Sequence, residues 1–103
     1  MIFHYDDPDR VSKMKAFIVL GDATCLKILY VLDRQGEKNF SELKEIIEVN
    51  PASLSKKLRV LAEAGILNSD RTHDNLRVYY SIAQHKRQIR KFLESFERLA
   101  QEL

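Results

Sequence analysis

Apolar residues recur at three- and four-residue steps through most of this chain, and at two-residue steps in one place. In "DDPDRVSKMKAFIVL", Val11, Met14, Phe17 and Ile18 keep helical spacing, which predicts a first helix. Asp7 is suited to cap its free N–H groups, Pro8 to its first position, and Gly21 to its end. A second helix is predicted in "GDATCLKILYVLDRQGE", with Asp22 as N-cap and Leu26, Leu29, Tyr30 and Leu32 facing the core. "EKNF" reads as a short extended piece. "SELKEIIEV" follows, with Ser41 as cap and Leu43, Ile46 and Ile47 as its apolar stripe. "NPASLSKKLRVLAEAG" is the next helix: Asn50 caps, Pro51 opens and Gly65 terminates. The period then changes. Val78, Tyr80 and Ile82 alternate with Arg77, Tyr79 and Ser81, so "ILNSDRTHDNLRVYYSI" predicts a β-hairpin with its tip at His73–Asn75. In the final segment, "AQHKRQIRKFLESFERLAQEL", the residues Ile89, Leu93, Phe96, Ala100 and Leu103 step as a heptad seam, which Phe92 and Leu99 widen.

The predicted order is α-α-β-α-α-β-β-α, mainly helical with a small β-hairpin. The connection "EVNP" is too short for two helices packed antiparallel along a shared length, so a steep helix-turn-helix crossing is expected. Leu54, Leu58 and Leu61 lie at i, i+4 and i+7 and face inward. Ser53, Ser55, Lys56, Lys57 and Arg59 are left on or beside the outer face. Small side chains at the start of such a helix permit close approach to a surface. Serine, lysine and arginine reach base edges or phosphates, and free N–H groups at a helix start favour an anion.

Charge sharpens this picture. The whole chain carries only +2, but residues 50–91 hold nine Lys or Arg against three Asp or Glu. The flanking segments are each net acidic. A basic block around the helix and hairpin is an electrostatic footprint for a polyanion. Arg71, His73, Asn75 and Arg77 place polar and cationic groups on the hairpin.

"FSELKEIIEVNPASLSKKLRVLAEAGIL", followed by a polar hairpin and "RVYYSI", resembles the winged helix-turn-helix of small ArsR-type and MarR-type transcriptional regulators. "LSKKLRVLAEAGIL" is similar to their recognition-helix pattern, and "LGDATCLKILYVL" to the helix that precedes it. The resemblance spans about Ala16 to Ile82. The length predicts a single domain over 1–103, and the resemblance implies a homodimer in the cytoplasm that binds a palindromic site in double-stranded DNA. By position, a recognition helix at about 51–64 would enter the major groove through Ser53, Ser55, Lys56, Lys57 and Arg59. A wing at about 67–82 would bring Arg71, His73, Asn75 and Arg77 to the minor groove or backbone. Lys57 stands where ArsR-type proteins often carry histidine. Dimerisation is expected through the terminal helices, using Val11, Met14, Phe17, Ile89, Leu93, Phe96 and Leu103, with 84–103 as the dimerisation helix. The alternative is that the seam packs on its own domain, through Val11, Met14 and Phe17. A winged helix that docks another protein in a transcription or nucleoprotein assembly is the alternative function.

Other chemistries find little support. The longest apolar run, "AFIVL", is too short for a membrane span, and "MIFHYDDPDR" has no basic start before an apolar stretch, so no signal peptide is expected. His4, His73 and His85 lack a partnering cysteine, carboxylate cluster or glycine loop, so no enzyme is expected. ArsR-type metal sensors use a Cys-x-Cys pair on the helix before the turn, where this chain has "SELKEIIE". Gln88 follows His85 where a second familial site has a ligand. No metal or other cofactor is expected. Cys25 reads as a small buried hydrophobe, with a redox-sensing thiol or an intersubunit disulfide as the alternative. Phe3, Tyr5, Phe17, Tyr30, Phe40, Tyr79, Tyr80, Phe92 and Phe96 suit a filled core or an effector pocket alike, and no effector can be named.

Overall fold

The computed structural model describes residues 21–71 and 77–103. The expected first helix lies outside these residues, with Val11, Met14 and Phe17, and so does the hairpin tip with His73 and Asn75.

Helix α1 spans Ala23–Gln35. The Asp22 carboxylate accepts from the Cys25 N–H at 3.1 Å, as an N-cap does. Gly36 closes the helix at φ 82°, a left-handed backbone that glycine adopts without steric cost. Strand β1 is the two-residue Lys38–Asn39, and α2 runs Phe40–Ile46. Here the cap differs from expectation. Asn39, not Ser41, begins α2: its Oδ1 accepts from Glu42 N–H at 2.9 Å, while Glu42 Oε1 accepts from Asn39 N–H at 3.0 Å. This reciprocal capping box satisfies two helix-terminal donors at once, which Ser41 inside the first turn cannot do. Leu43 and Ile47 are buried, but Ile46 is 42% exposed, so the expected apolar stripe keeps two of its three members.

Helix α3 spans Pro51–Glu63. Asn50 Oδ1 accepts from Ala52 N–H at 2.8 Å and from Ser53 N–H at 3.4 Å, and Pro51 takes the first helical position. The helix ends in a Schellman arrangement: Gly65, at φ 77°, donates to the Ala62 carbonyl and Ile66 to the Leu61 carbonyl. That turn aims the chain into β2, Leu67–Asp70, which pairs antiparallel with β3, Tyr79–Ile82. Leu67 lies opposite Ile82 and Asp70 opposite Tyr79. β1 adds to the other edge of β3, giving the order β1-β3-β2.

Helix α4 spans Lys86–Glu102. It starts after His85, whose left-handed backbone (φ 68°) turns the chain out of the sheet. The core is one cluster. It takes Cys25, Leu26, Ile28, Leu29 and Leu32 from α1, Leu43 and Ile47 around α2, and Leu54, Leu58 and Leu61 from α3. Leu67, Ile82 and Leu93 complete it. The winged helix-turn-helix expected from the pattern is therefore present.

The heptad seam divides along α4. Leu93 is 2% exposed and belongs to the chain's own core, and Ile89 and Phe92 pack against that core. Exposure then rises to 42% at Phe96, 56% at Leu99 and 97% at Leu103. A helix of this length reaches about 25 Å and outruns the core beneath it. Leu93, expected at the centre of a dimer seam, is thus covered by its own domain. Tyr30 ties the buried half down, its hydroxyl donating to the Leu93 carbonyl at 3.0 Å. Arg34 with Glu97 at 2.9 Å and Arg90 with Asp33 at 3.2 Å flank that contact.

Candidate nucleic-acid interface

The outer face of α3 follows from its inner one. Leu54, Leu58 and Leu61 are all 0% exposed, so helical spacing turns Ala52, Ser55, Lys56 and Arg59 to solvent. Ser53 is half-buried beside the Asn50 cap. Among the described residues, Lys56 and Arg59 have no carboxylate partner. They form an exposed cationic pair one turn apart on a surface with small residues at its start.

Lys57 behaves differently. Its Nζ lies 3.3 Å from Asp22 Oδ1, and its side chain is 30% exposed. Position 57 precedes Leu58 and borders the buried face, so its stem runs towards α1 and not outward. The Asp22 carboxylate is held below its ordinary range, chiefly by the Cys25 N–H hydrogen bond; burial opposes this, and the Lys57 ammonium beside it adds to the lowering. Asp22 was legible as a cap but not as a partner of Lys57. The two are far apart in the chain, and only the packing of α1 on α3 brings them together.

The hairpin residues are also divided. Arg71 is exposed at the end of β2, and its charge opposes the rise that burial imposes on the Tyr80 hydroxyl. Arg77 is exposed at the wing's root, bordering a shallow groove with Glu37, Glu42, Glu45 and Tyr79, and it already has an interaction partner. The basic block is split as well: Lys86, Arg87, Arg90 and Lys91 belong to the first half of α4, where Arg90 pairs with Asp33.

Cys25 is 1% exposed, and burial, with the Asp22 carboxylate beside it, pushes its thiol up to about 11. A thiol so placed stays protonated at neutral pH and is a poor nucleophile, which favours the packing role. Among the described residues no group of three or more His, Cys, Asp or Glu is positioned to hold a metal ion, and no helix is long and apolar enough to cross a membrane.

Comparison with known proteins agrees with the fold. Residues 22–69 match the family described as "Bacterial regulatory protein, arsR family". A cadmium resistance transcriptional regulatory protein, a CadC homologue of Staphylococcus aureus, is 37% identical over 76 residues. That match takes in 73% of this chain and 61% of the relative's length. The antimony-specific transcriptional repressor AntR superposes with a TM-score of 0.73 at 25% identity, over 97% of this chain and 87% of its own. HlyU from Vibrio cholerae superposes with a TM-score of 0.72 at 20% identity, over 90% of this chain and 96% of its own, a likeness of fold. The matched family and the relatives named for a function are regulators, not enzymes. With its helix-turn-helix, its wing and these matches, the chain is a winged helix-turn-helix protein whose residues 22–69 match the arsR family of bacterial regulatory proteins.

Proposed function

We propose that this protein is a transcriptional regulator that binds double-stranded DNA as a homodimer in the cytoplasm. The observation that carries the reading is the outer face of α3, where Lys56 and Arg59 stand exposed, unpaired among the described residues, above a small-residue helix start. In this reading α3 enters the major groove. Ser53, Ser55, Lys56 and Arg59 are its contact residues, and Arg71, His73, Asn75 and Arg77 serve the wing. Lys57 contributes only when it leaves Asp22. Residues 1–103 act as one domain, and 84–103 is the dimerisation helix. Its contact surface is the exposed half of α4, Phe96, Leu99 and Leu103, because an apolar strip left open on one helix is matched by the same strip on a second copy. Val11, Met14, Phe17 and the partly covered Ile89 would extend that surface.

The metal chemistry in the relatives' names does not carry over. Thiophilic ions are bound by clustered thiolates. This chain has a single cysteine, which lies in the core with its proton held tightly.

The test is selection of bound duplexes from a random pool, followed by salt titration on the winner. Lys56→Ala/Arg59→Ala should weaken binding without unfolding the protein. Each lost phosphate contact should flatten the slope of log affinity against log salt by about 0.9. No binding to any duplex at low salt would overturn the reading in favour of a protein-docking winged helix.

A further inference from the structure

The Asp22 carboxylate makes two contacts at once. Oδ2 accepts from the Cys25 N–H and caps α1, while Oδ1 lies 3.3 Å from Lys57 Nζ. Lys57 sits next to Lys56, on the helix read above as the DNA-entering one. Neither member of the pair is deeply buried, the Lys57 side chain being 30% and the Asp22 side chain 34% exposed. Lysine is a point charge on a flexible stem with three donors, so it can exchange one oxyanion for another without moving the helix. A DNA phosphate arriving at α3 offers Lys57 the same chemistry as Asp22 Oδ1. Lys56 and Arg59 face no such competitor among the described residues.

We propose that Asp22 is an internal stand-in for a DNA phosphate: it competes with DNA for Lys57 and so limits the affinity of the recognition helix. This rests on the DNA-binding reading above. The contact is autoinhibitory in a graded sense. In the free protein Lys57 is neutralised within the chain. On DNA it stays with Asp22, and one phosphate contact per protomer is forgone, so binding is weaker than the exposed surface would allow.

The cap and the competition can be separated. Asparagine is as good an N-cap as aspartate. Asp22→Asn thus keeps an oxygen for the Cys25 N–H but removes the charge that holds Lys57. The variant should bind the selected duplex more tightly than the parent at low salt. Its slope of log affinity against log salt should steepen by about 0.9 per protomer, so affinity falls roughly 3.5-fold further between 50 and 200 mM salt for each released lysine. Removing a carboxylate near DNA also helps by general electrostatics, so the decisive comparison is made in a Lys57→Ala background. There, Asp22→Asn should leave the slope unchanged. Asp22→Ser, which also preserves a cap, should reproduce the single-variant result, and unfolding curves verify that both variants are folded.

An unchanged slope in both folded Asp22 variants would overturn the proposal. So would a steepening that persists without Lys57. If the parent protein binds no duplex, the DNA-binding reading itself falls. If the parent binds and only the Asp22 result fails, the DNA-binding reading stands and the competition is wrong.

Discussion

Leu93 and Phe96 are equivalent members of one heptad pattern, but the fold gives them different jobs, and alanine substitution separates them. Leu93 is 2% exposed and packs in the common core of α1, α3 and the sheet, while Phe96 is 42% exposed beyond it. Leu→Ala at fully buried sites costs about 2.7–5.0 kcal/mol, the lost transfer energy plus the cavity left behind. A loss of about 3 kcal/mol, near the lower end, is expected for Leu93→Ala, because half-buried Ile89 and Phe92 on the same helix can relax into part of the hole. In a domain of this size, about 4–8 °C of Tm accompanies each kcal/mol, which gives a fall of about 12–24 °C. Against a typical total of about 5–15 kcal/mol the variant is weakened but folded. Phe96→Ala should cost clearly less in folding and act instead on association. Urea unfolding at several protein concentrations distinguishes the two, since a subunit contact makes stability concentration-dependent and a core contact does not. The Leu93 loss should be nearly independent of concentration, and Phe96→Ala should lower the mass seen by light scattering. The reasoning is refuted if Leu93→Ala costs under about 1 kcal/mol, or if the two variants lose equal stability at every concentration.

Three further outcomes follow from named contacts. Asn50→Ala removes the oxygen that accepts from Ala52 and Ser53, and should cost about 1 kcal/mol in urea unfolding, with Asn50→Asp restoring most of it. Tyr30→Phe keeps the ring and loses the hydroxyl with its bond to the Leu93 carbonyl, so a decrease of about 0.5–1.5 kcal/mol in thermal unfolding is expected. Cys25 should resist a thiol reagent at pH 8 in the native protein and react at once in urea. Its folded-state thiol holds its proton up to about 11 against an ordinary value of 9.0. The stability it contributes is therefore complete below pH 9 and is lost as pH rises through 11, and Cys25→Ala should flatten the urea midpoint across that window.

How much of this was legible from residues alone can be judged element by element. The inward leucines of α3, its Asn50–Pro51 start and its Gly65 stop were readable, because helix period and end chemistry are local properties. The two-residue alternation of Tyr80 and Ile82 revealed the wing for the same reason. The start of α2 was less clear, since Asn39 and Ser41 are both good caps. The choice fell to Asn39 once β1 paired with β3 and drew its backbone into an extended form, at φ −87° and ψ 173°. The seam of α4 shows what periodicity leaves open: one period serves a helix that packs on its own core and a helix that meets a second copy. How far α1 extends beneath α4 decided that Leu93 lies inside and Phe96 outside. The direction of Lys57 is the sharpest case. Its position beside Lys56 suggested a shared outward face, but a residue at the border of a buried stripe turns towards whatever lies next to it. That neighbour is Asp22, brought there only by the packing of α1 against α3. Sequence thus determined the elements and their inner faces, because spacing and capping act within a few residues. Tertiary structure decided which charges stay free and which apolar residues stay uncovered, because both depend on neighbours remote in the chain.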